Sequence, residues 1–200
     1  ITYGSFNTLA KLSDPTIRAW GRILAEVPHA RLHLKAKGLA DADVRRGIAD
    51  RLAAVGVATD RLLLQSWEPR SGSHLAAYGG VDIALDAFPY NGATTTCEAL
   101  WMGVPVVTWS GATHASRMGS SILHAAGFPE WVTDSEPAYV ERATDLARDR
   151  ESLALVRRRM RQRLRASALL AIEPFARAFE QACVQMWQCG TEPMHACGET

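Results

Sequence analysis

Val81-Asp-Ile-Ala-Leu-Asp-Ala-Phe-Pro-Tyr-Asn-Gly-Ala-Thr-Thr-Thr-Cys-Glu-Ala-Leu-Trp-Met-Gly-Val-Pro-Val-Val-Thr108 reads as strand, turn, short helix and strand. Val81, Ile83 and Leu85 form the first apolar run, and Pro105 to Thr108 form the second. Between them, Pro89-Tyr-Asn-Gly92 is turn chemistry, and Thr94, Thr95 and Thr96 are expected as capping residues ahead of a helix Cys97–Met102. A helix start with free backbone N–H groups and hydroxyls nearby is suited to an anion, phosphate above all. Glu98 lies one turn further on, where a carboxylate beside a phosphate site can accept from the two hydroxyls of a ribose. The local chemistry is that of a nucleotide site, phosphate end first.

Outward from this stretch, strands and helices alternate, which predicts a parallel sheet with helices on both faces. Strands are expected at Tyr3–Phe6, Arg31–Lys35, Arg61–Ser66, Val81–Leu85 and Val104–Thr108. Ser13-Asp14-Pro15 opens a first helix with apolar residues Ile17, Trp20, Ile23, Leu24 and Val27, stopped by Pro28. Val44, Ile48, Leu52 and Val55 mark a second helix closed by Gly56, and further helices are expected at about Ser73 to Tyr78 and at Ala115–Ala126. Beyond Glu136 the pattern is all helical, with Leu153, Val156, Met160 and Leu164 as one stripe and Phe175, Phe179, Cys183 and Met186 as another. Arginines 157, 158, 159, 161, 163 and 165 are read as a solvated face. In such a sheet, ligands bind outside the carboxyl ends of the strands. Lys11, Arg70 to His74, Asp86 to Glu98, and Gly111 to Arg117 all fall in loops on that edge.

The chain has 200 residues, of which 22 are Lys or Arg and 21 are Asp or Glu, so its net charge of +1 favours neither nucleic acid nor a membrane surface. It holds no apolar run of membrane-spanning length and no signal peptide. Ile1 begins directly on a strand, which is the start expected of a piece of a longer chain. Cys183, Cys189 and Cys197 cluster with His195 near the C-terminus, but without a C-x-x-C pair they are read as part of a tail rather than a zinc site. Cys97 is read as a small core residue, and the default compartment is a reducing cytoplasm. One domain, 1–188, and a disordered tail, 189–200, are expected.

Asp82-x-x-x-Asp86-x-x-Pro-Tyr-Asn-Gly-x-Thr-Thr-Thr-Cys-Glu-Ala-Leu-Trp-x-Gly-x-Pro-Val-Val-Thr resembles the nucleotide-sugar-binding half of the O-GlcNAc transferase family. That family includes the SPINDLY-type O-fucosyltransferases and bacterial tetratricopeptide-linked relatives. Gly4 to Lys11, Pro69 to His74, His114-Ala-Ser-Arg117 and a helix ending in Met186-Trp187 are collinear with it, so the resemblance runs from about Tyr3 to Trp187. It implies a Rossmann-like α/β fold, the C-terminal lobe of a GT-B-type glycosyltransferase. The implied reaction is inverting transfer of N-acetylglucosamine or fucose from a nucleotide diphosphate to a Ser or Thr hydroxyl on protein. The acceptor base and groove would come from an N-terminal catalytic half and tetratricopeptide repeats, neither within these residues, so this piece is expected to be inactive alone. The C-terminal helix would pack against that half.

The resemblance also assigns site residues. Lys11 matches a lysine that contacts the donor diphosphate, and Thr8, Ala93, Thr94, Thr95 and Glu98 complete the phosphate and ribose side. Pro69 and Arg70 match the loop that reads the nucleobase edge, and His74 a base-side histidine. The chain departs from the animal enzymes at Ala93, where they carry histidine, at Glu98, where they carry aspartate, and at Arg70, where some relatives carry lysine. Each of these side chains also has an ordinary structural reading: surface lysine, helix cap, dipole-complementing acid, packed histidine. Asp86 can cap the loop or touch ligand, and His114 and Arg117 can flank the site or start a helix. No G-x-G-x-x-G, no nucleophile–base pair and no metal-ligand set accompanies the loop, which fits a metal-independent transferase using Lys11 and a helix dipole in place of a cation. Two alternatives stay open: another GT-B enzyme, such as an epimerase or glycan-forming transferase, and a non-catalytic nucleotide-sensing module.

Overall fold

The structure is a computed structural model and describes residues 1–67 and 73–191. Pro69 and Arg70, and likewise His195 and Cys197 in the expected tail, lie outside the described residues.

Six strands form one sheet in the order β3-β2-β1-β4-β5-β6, with every neighbouring pair parallel. They are β1 Thr2–Ser5, β2 Arg31–Lys35, β3 Leu62–Gln65, β4 Ile83–Leu85, β5 Val106–Trp109 and β6 Val132–Thr133. The sequence pattern predicts the first five within two residues at either end. The sixth is too short to carry a period, and its two residues pair with Thr108 and Trp109 of β5.

Helices α1 (Asp14–Glu26), α2 (Ala42–Ala53) and α6 (Glu136–Arg148) share a core with one face of the sheet. Helices α4 (Thr94–Trp101), α5 (Met118–Ala125) and much of α7 (Arg150–Arg165) share one with the other. The split follows strand alternation: Ile83 and Leu85 join Trp20, Leu52 and Tyr139, whereas Ala84 between them joins Leu100 and Leu123. Two short elements, α3 (Ser73–Ala76) and a 3-10 turn Ala77–Gly80, lead into β4.

Helix α1 begins as its Ser-Asp-Pro start predicts, with the Ser13 side chain accepting from the Thr16 amide. Its end is held by Arg61, whose guanidinium donates to the carbonyls of Leu24, Val27 and Ala30. Three expectations change. Val44 of α2 is 40% exposed, so Ile48 and Leu52 alone bury that helix. Cys97 is half-buried and lines an apolar groove with Leu75, Trp101, Leu164 and Leu170 instead of sitting in the core. The arginines of α7 are not uniformly solvated: Arg157 pairs with Asp82 at 3.0 Å, Arg163 with Glu130 at 2.8 Å, and Arg161 donates to the Trp101 carbonyl. The last helix, α8 (Ile172–Thr191), turns its large apolar residues outward, with Phe175 at 70% and Trp187 at 74% exposure. Among the described residues, no helix is long and apolar enough to cross a membrane.

Candidate nucleotide site at the switch point

From β1 the chain winds outward through β2 and β3, and β4 restarts on the other side of β1. A crevice opens between the carboxyl ends of β1 and β4, where a doubly wound sheet receives its ligand. The loop after β1 forms one wall and the loop from Asp86 to Ala93, with the start of α4, forms the other. A small cavity of about 20 Å³ lies at their junction, lined by Phe6, Asn7, Tyr78, Asp86, Thr95 and Thr96 among others.

Asp86 anchors the second wall. Its carboxylate is buried and accepts from the amides of Ala87 (2.9 Å) and Gly92 (2.6 Å) and from the Thr108 hydroxyl (2.7 Å). Burial pushes its pKa up to about 6, against the opposing pull of these donors and the Lys11 charge. From below, the Tyr139 hydroxyl donates to the Asp86 carbonyl (2.9 Å) and accepts from the Trp20 indole (3.1 Å). From the side, Ser13 and Thr16 at the start of α1 donate to the Phe88 carbonyl, and the Phe88 amide donates back to Thr16.

Asn91 is equally fixed. Its side-chain amide donates to the carbonyls of Ala87 (2.8 Å) and Trp109 (3.3 Å), its side-chain oxygen accepts from Gly119, and its backbone amide donates to Ala115. That leaves its carbonyl aimed across the crevice, where it accepts from the Lys11 ammonium at 2.7 Å. The same ammonium stands 4.0 Å above the Tyr90 ring. Partial burial lowers the Lys11 pKa, with Asp86 pulling the other way.

Helix α4 begins three residues earlier than expected. Ala93 is its N-cap, with no side-chain capping bond, and the threonines occupy the first turn instead of preceding it. Thr95 donates to the Asn7 side chain (3.0 Å), tying the two walls together, and Thr96 donates to the Gly92 carbonyl (3.1 Å). Thr94 is exposed. Among the described residues, nothing accepts from the amides of Thr94, Thr95 or Thr96. Three unclaimed N–H groups at a helix start, with a lysine on the facing wall, have the chemistry that suits an anion. Gly92 keeps this site open: a Cβ there would come within 2.6 Å of the Thr95 hydroxyl and 3.0 Å of the Asn7 side-chain oxygen.

One turn on, Glu98 Oε2 lies 3.0 Å from His74 Nε2, so the residues expected on the ribose and on the base form one pair. His74 packs with Phe6 and Tyr78, and the Tyr78 hydroxyl donates to the Thr95 carbonyl (3.1 Å). The His74 Nδ1 is buried and without a hydrogen-bond partner among the described residues. Thr8 is exposed and opens the turn that carries Lys11, its carbonyl accepting from the Lys11 amide. His114 and Arg117 are exposed ahead of α5, and Arg117 is its N-cap without a side-chain bond.

Asn7, Tyr90 and Asn91 escaped the sequence reading. The Tyr-Asn-Gly run signals a turn, and nothing in the pattern says that the turn's carbonyl reaches a lysine 80 residues away. No group of three or more His, Cys, Asp or Glu side chains is gathered as a metal site among the described residues.

A parallel sheet in this order, with helices on both faces and its loops gathered at the switch point, is the Rossmann-like lobe of a GT-B-type glycosyltransferase. The chain belongs to glycosyltransferase family 41, whose profile its residues 1–179 match. It is 40% identical over 188 residues to a tomato (Solanum lycopersicum) protein named as a probable UDP-N-acetylglucosamine–peptide N-acetylglucosaminyltransferase SPINDLY, covering 94% of this chain and 20% of that protein. It is 29% identical to the Caenorhabditis elegans UDP-N-acetylglucosamine–peptide N-acetylglucosaminyltransferase, over 94% of this chain and 16% of that protein. A solved O-GlcNAc transferase from Thermobaculum terrenum, carrying a K341M substitution, superposes with a TM-score of 0.88 and 41% identity, covering 93% of this chain and 36% of that one. The chain thus spans about a fifth of the length of the curated relatives it matches.

Proposed function

We propose that the protein carrying this chain is an inverting glycosyltransferase that moves N-acetylglucosamine or fucose from a nucleotide diphosphate to Ser or Thr hydroxyls of proteins. This chain is its donor-binding lobe. The observation that carries the reading is that the Lys11 ammonium reaches over from the β1 loop to the Asn91 carbonyl at 2.7 Å, two residues before the N-cap of α4, whose first amides are unclaimed. As the bond between the sugar and the diphosphate breaks, negative charge collects on the leaving phosphate. In this reading the Lys11 ammonium and the start of α4 stabilise that charge, since fixed charges and dipoles do so with little reorganisation. They supply the role that a cation fills elsewhere, so we read the transfer as metal-independent. In this reading Glu98 accepts from the ribose hydroxyls, with its partner His74 on the base side, and Thr8, Ala93, Thr94, Thr95, Pro69 and Arg70 complete the proposed donor contacts.

The names of the relatives support a protein acceptor and a nucleotide sugar as donor. The outward apolar face of α8, with Ile172 at 75% and Phe179 at 61% exposure, supports a further lobe packed on it, the N-terminal catalytic half that would bring the acceptor and its base. The described cysteines, Cys97, Cys183 and Cys189, are all free, which suits a reducing cytoplasm.

The test is transfer by the full-length protein from radiolabelled UDP-N-acetylglucosamine and GDP-fucose. Label should appear in protein from one of them and be lost in Lys11→Ala. Label appearing only in glycan, or nucleotide binding without transfer, overturns the proposal.

A further inference from the structure

We infer that Tyr90 is a positioning residue for Lys11: its ring face and the Asn91 carbonyl together hold the ammonium charged and directed at the diphosphate. This rests on the diphosphate role proposed for Lys11. Tyr90 is 57% exposed, so core burial does not explain its place. Its hydroxyl has no hydrogen-bond partner among the described residues, and the contact its ring makes there is with the Lys11 ammonium at 4.0 Å. The backbone beneath it is fixed on both sides, at Phe88 by α1 and at Asn91 by its three side-chain bonds, so the ring is presented from a rigid loop.

The choice of partner has a physical consequence. A carboxylate facing Lys11 would compete with phosphate for its charge. The nearby carboxylate, Asp86, is turned inward onto Gly92, Ala87 and Thr108. A neutral ring attracts the cation through its quadrupole and leaves the positive charge uncompensated. An ammonium has three N–H donors; one is engaged by Asn91, and the ring covers a flank without occupying the others. Burial lowers the Lys11 pKa, and the ring works against that by favouring the charged form.

The experiment compares Tyr90→Phe, Tyr90→Leu and Lys11→Met in the full-length protein, using kinetics with its own donor across pH. Phe keeps the π face, whereas Leu keeps apolar bulk and loses it. Tyr90→Phe should match wild type, and Tyr90→Leu should lose about 3- to 30-fold in kcat, the range of a cation–π contact. Its alkaline limb should also move to lower pH, because a lysine without the ring gives up its proton more readily. Melting temperatures should not change, the ring being exposed. Equal rates for Phe and Leu, equal losses in both, or a loss that tracks melting temperature would each overturn the role of Tyr90. If Lys11→Met keeps full activity, the diphosphate reading itself fails; if it is inactive while Tyr90→Leu is normal, only this inference does.

Discussion

Asp86 shows how little a residue type says about its task. In the sequence it is an acid in a turn, equally able to cap the loop or to meet a ligand. In the structure it is the buried anchor that holds the Ala87 and Gly92 amides of the following loop and the Thr108 hydroxyl. Its carboxyl titrates near 6 in the fold and at 3.8 in a free chain, so between these values the unfolded state holds fewer protons. Stability should therefore fall as pH rises from about 4 to about 6 and level off above, because the unfolded chain ionises first. Asp86→Asn removes that slope, and urea titrations of both proteins at several pH values would show it; parallel slopes would mean that Asp86 is solvated. Gly92 makes the complementary case for space. Gly92→Ala would place a methyl among Thr95, Thr96 and Asn7, so nucleotide affinity should drop while the far side of the sheet stays intact. Calorimetry with UDP and GDP reads the first, and amide hydrogen exchange in β2 and β3 the second.

At the scale of elements, period and capping rules located β2 to the residue and the start of α1 to within one, because each has a clear local signature. The start of α4 was missed for the opposite reason. Three successive threonines are each acceptable caps, and only tertiary partners decide among them: Asn7 takes Thr95 and the Gly92 carbonyl takes Thr96, which draws all three into the first turn. The two residues of β6 hold no readable period and depend wholly on β5. Packing beneath the site is a further matter of distant partners. Tyr139 of α6 supports the Asp86 carbonyl and receives the Trp20 indole, joining elements more than 50 residues apart. Tyr139→Phe strands two buried groups and should cost about 1–3 kcal/mol of stability, measurable by urea unfolding. A change below about 0.5 kcal/mol would place both partners in contact with water.

For the whole molecule, the alternation of strands and helices makes the parallel sheet legible, and the carboxyl-edge rule names the loops that carry Lys11, His74 and Asp86 to Glu98. Strand order was not legible, since it depends on which side of β1 the fourth strand returns to. The pairing of His74 with Glu98 and the Tyr90–Lys11–Asn91 contact were equally hidden, because each joins segments whose separation encodes nothing locally. Together they bring a set of separately plausible residues to one crevice, for which a phosphate end and a ribose end are proposed. Its two ends should respond separately. Lys11→Ala should weaken nucleoside diphosphate binding by roughly 1.5–3 kcal/mol and a nucleoside hardly at all. Glu98→Gln should reduce the preference for ribose over deoxyribose. The most direct measurement is a crystal structure of the full-length protein with UDP or GDP. The diphosphate should lie between Lys11 Nζ and the amides of Thr94 to Thr96, with the ribose hydroxyls on Glu98. A nucleotide bound away from the β1–β4 crevice, or bound there with Lys11 still turned from its phosphates, would contradict it.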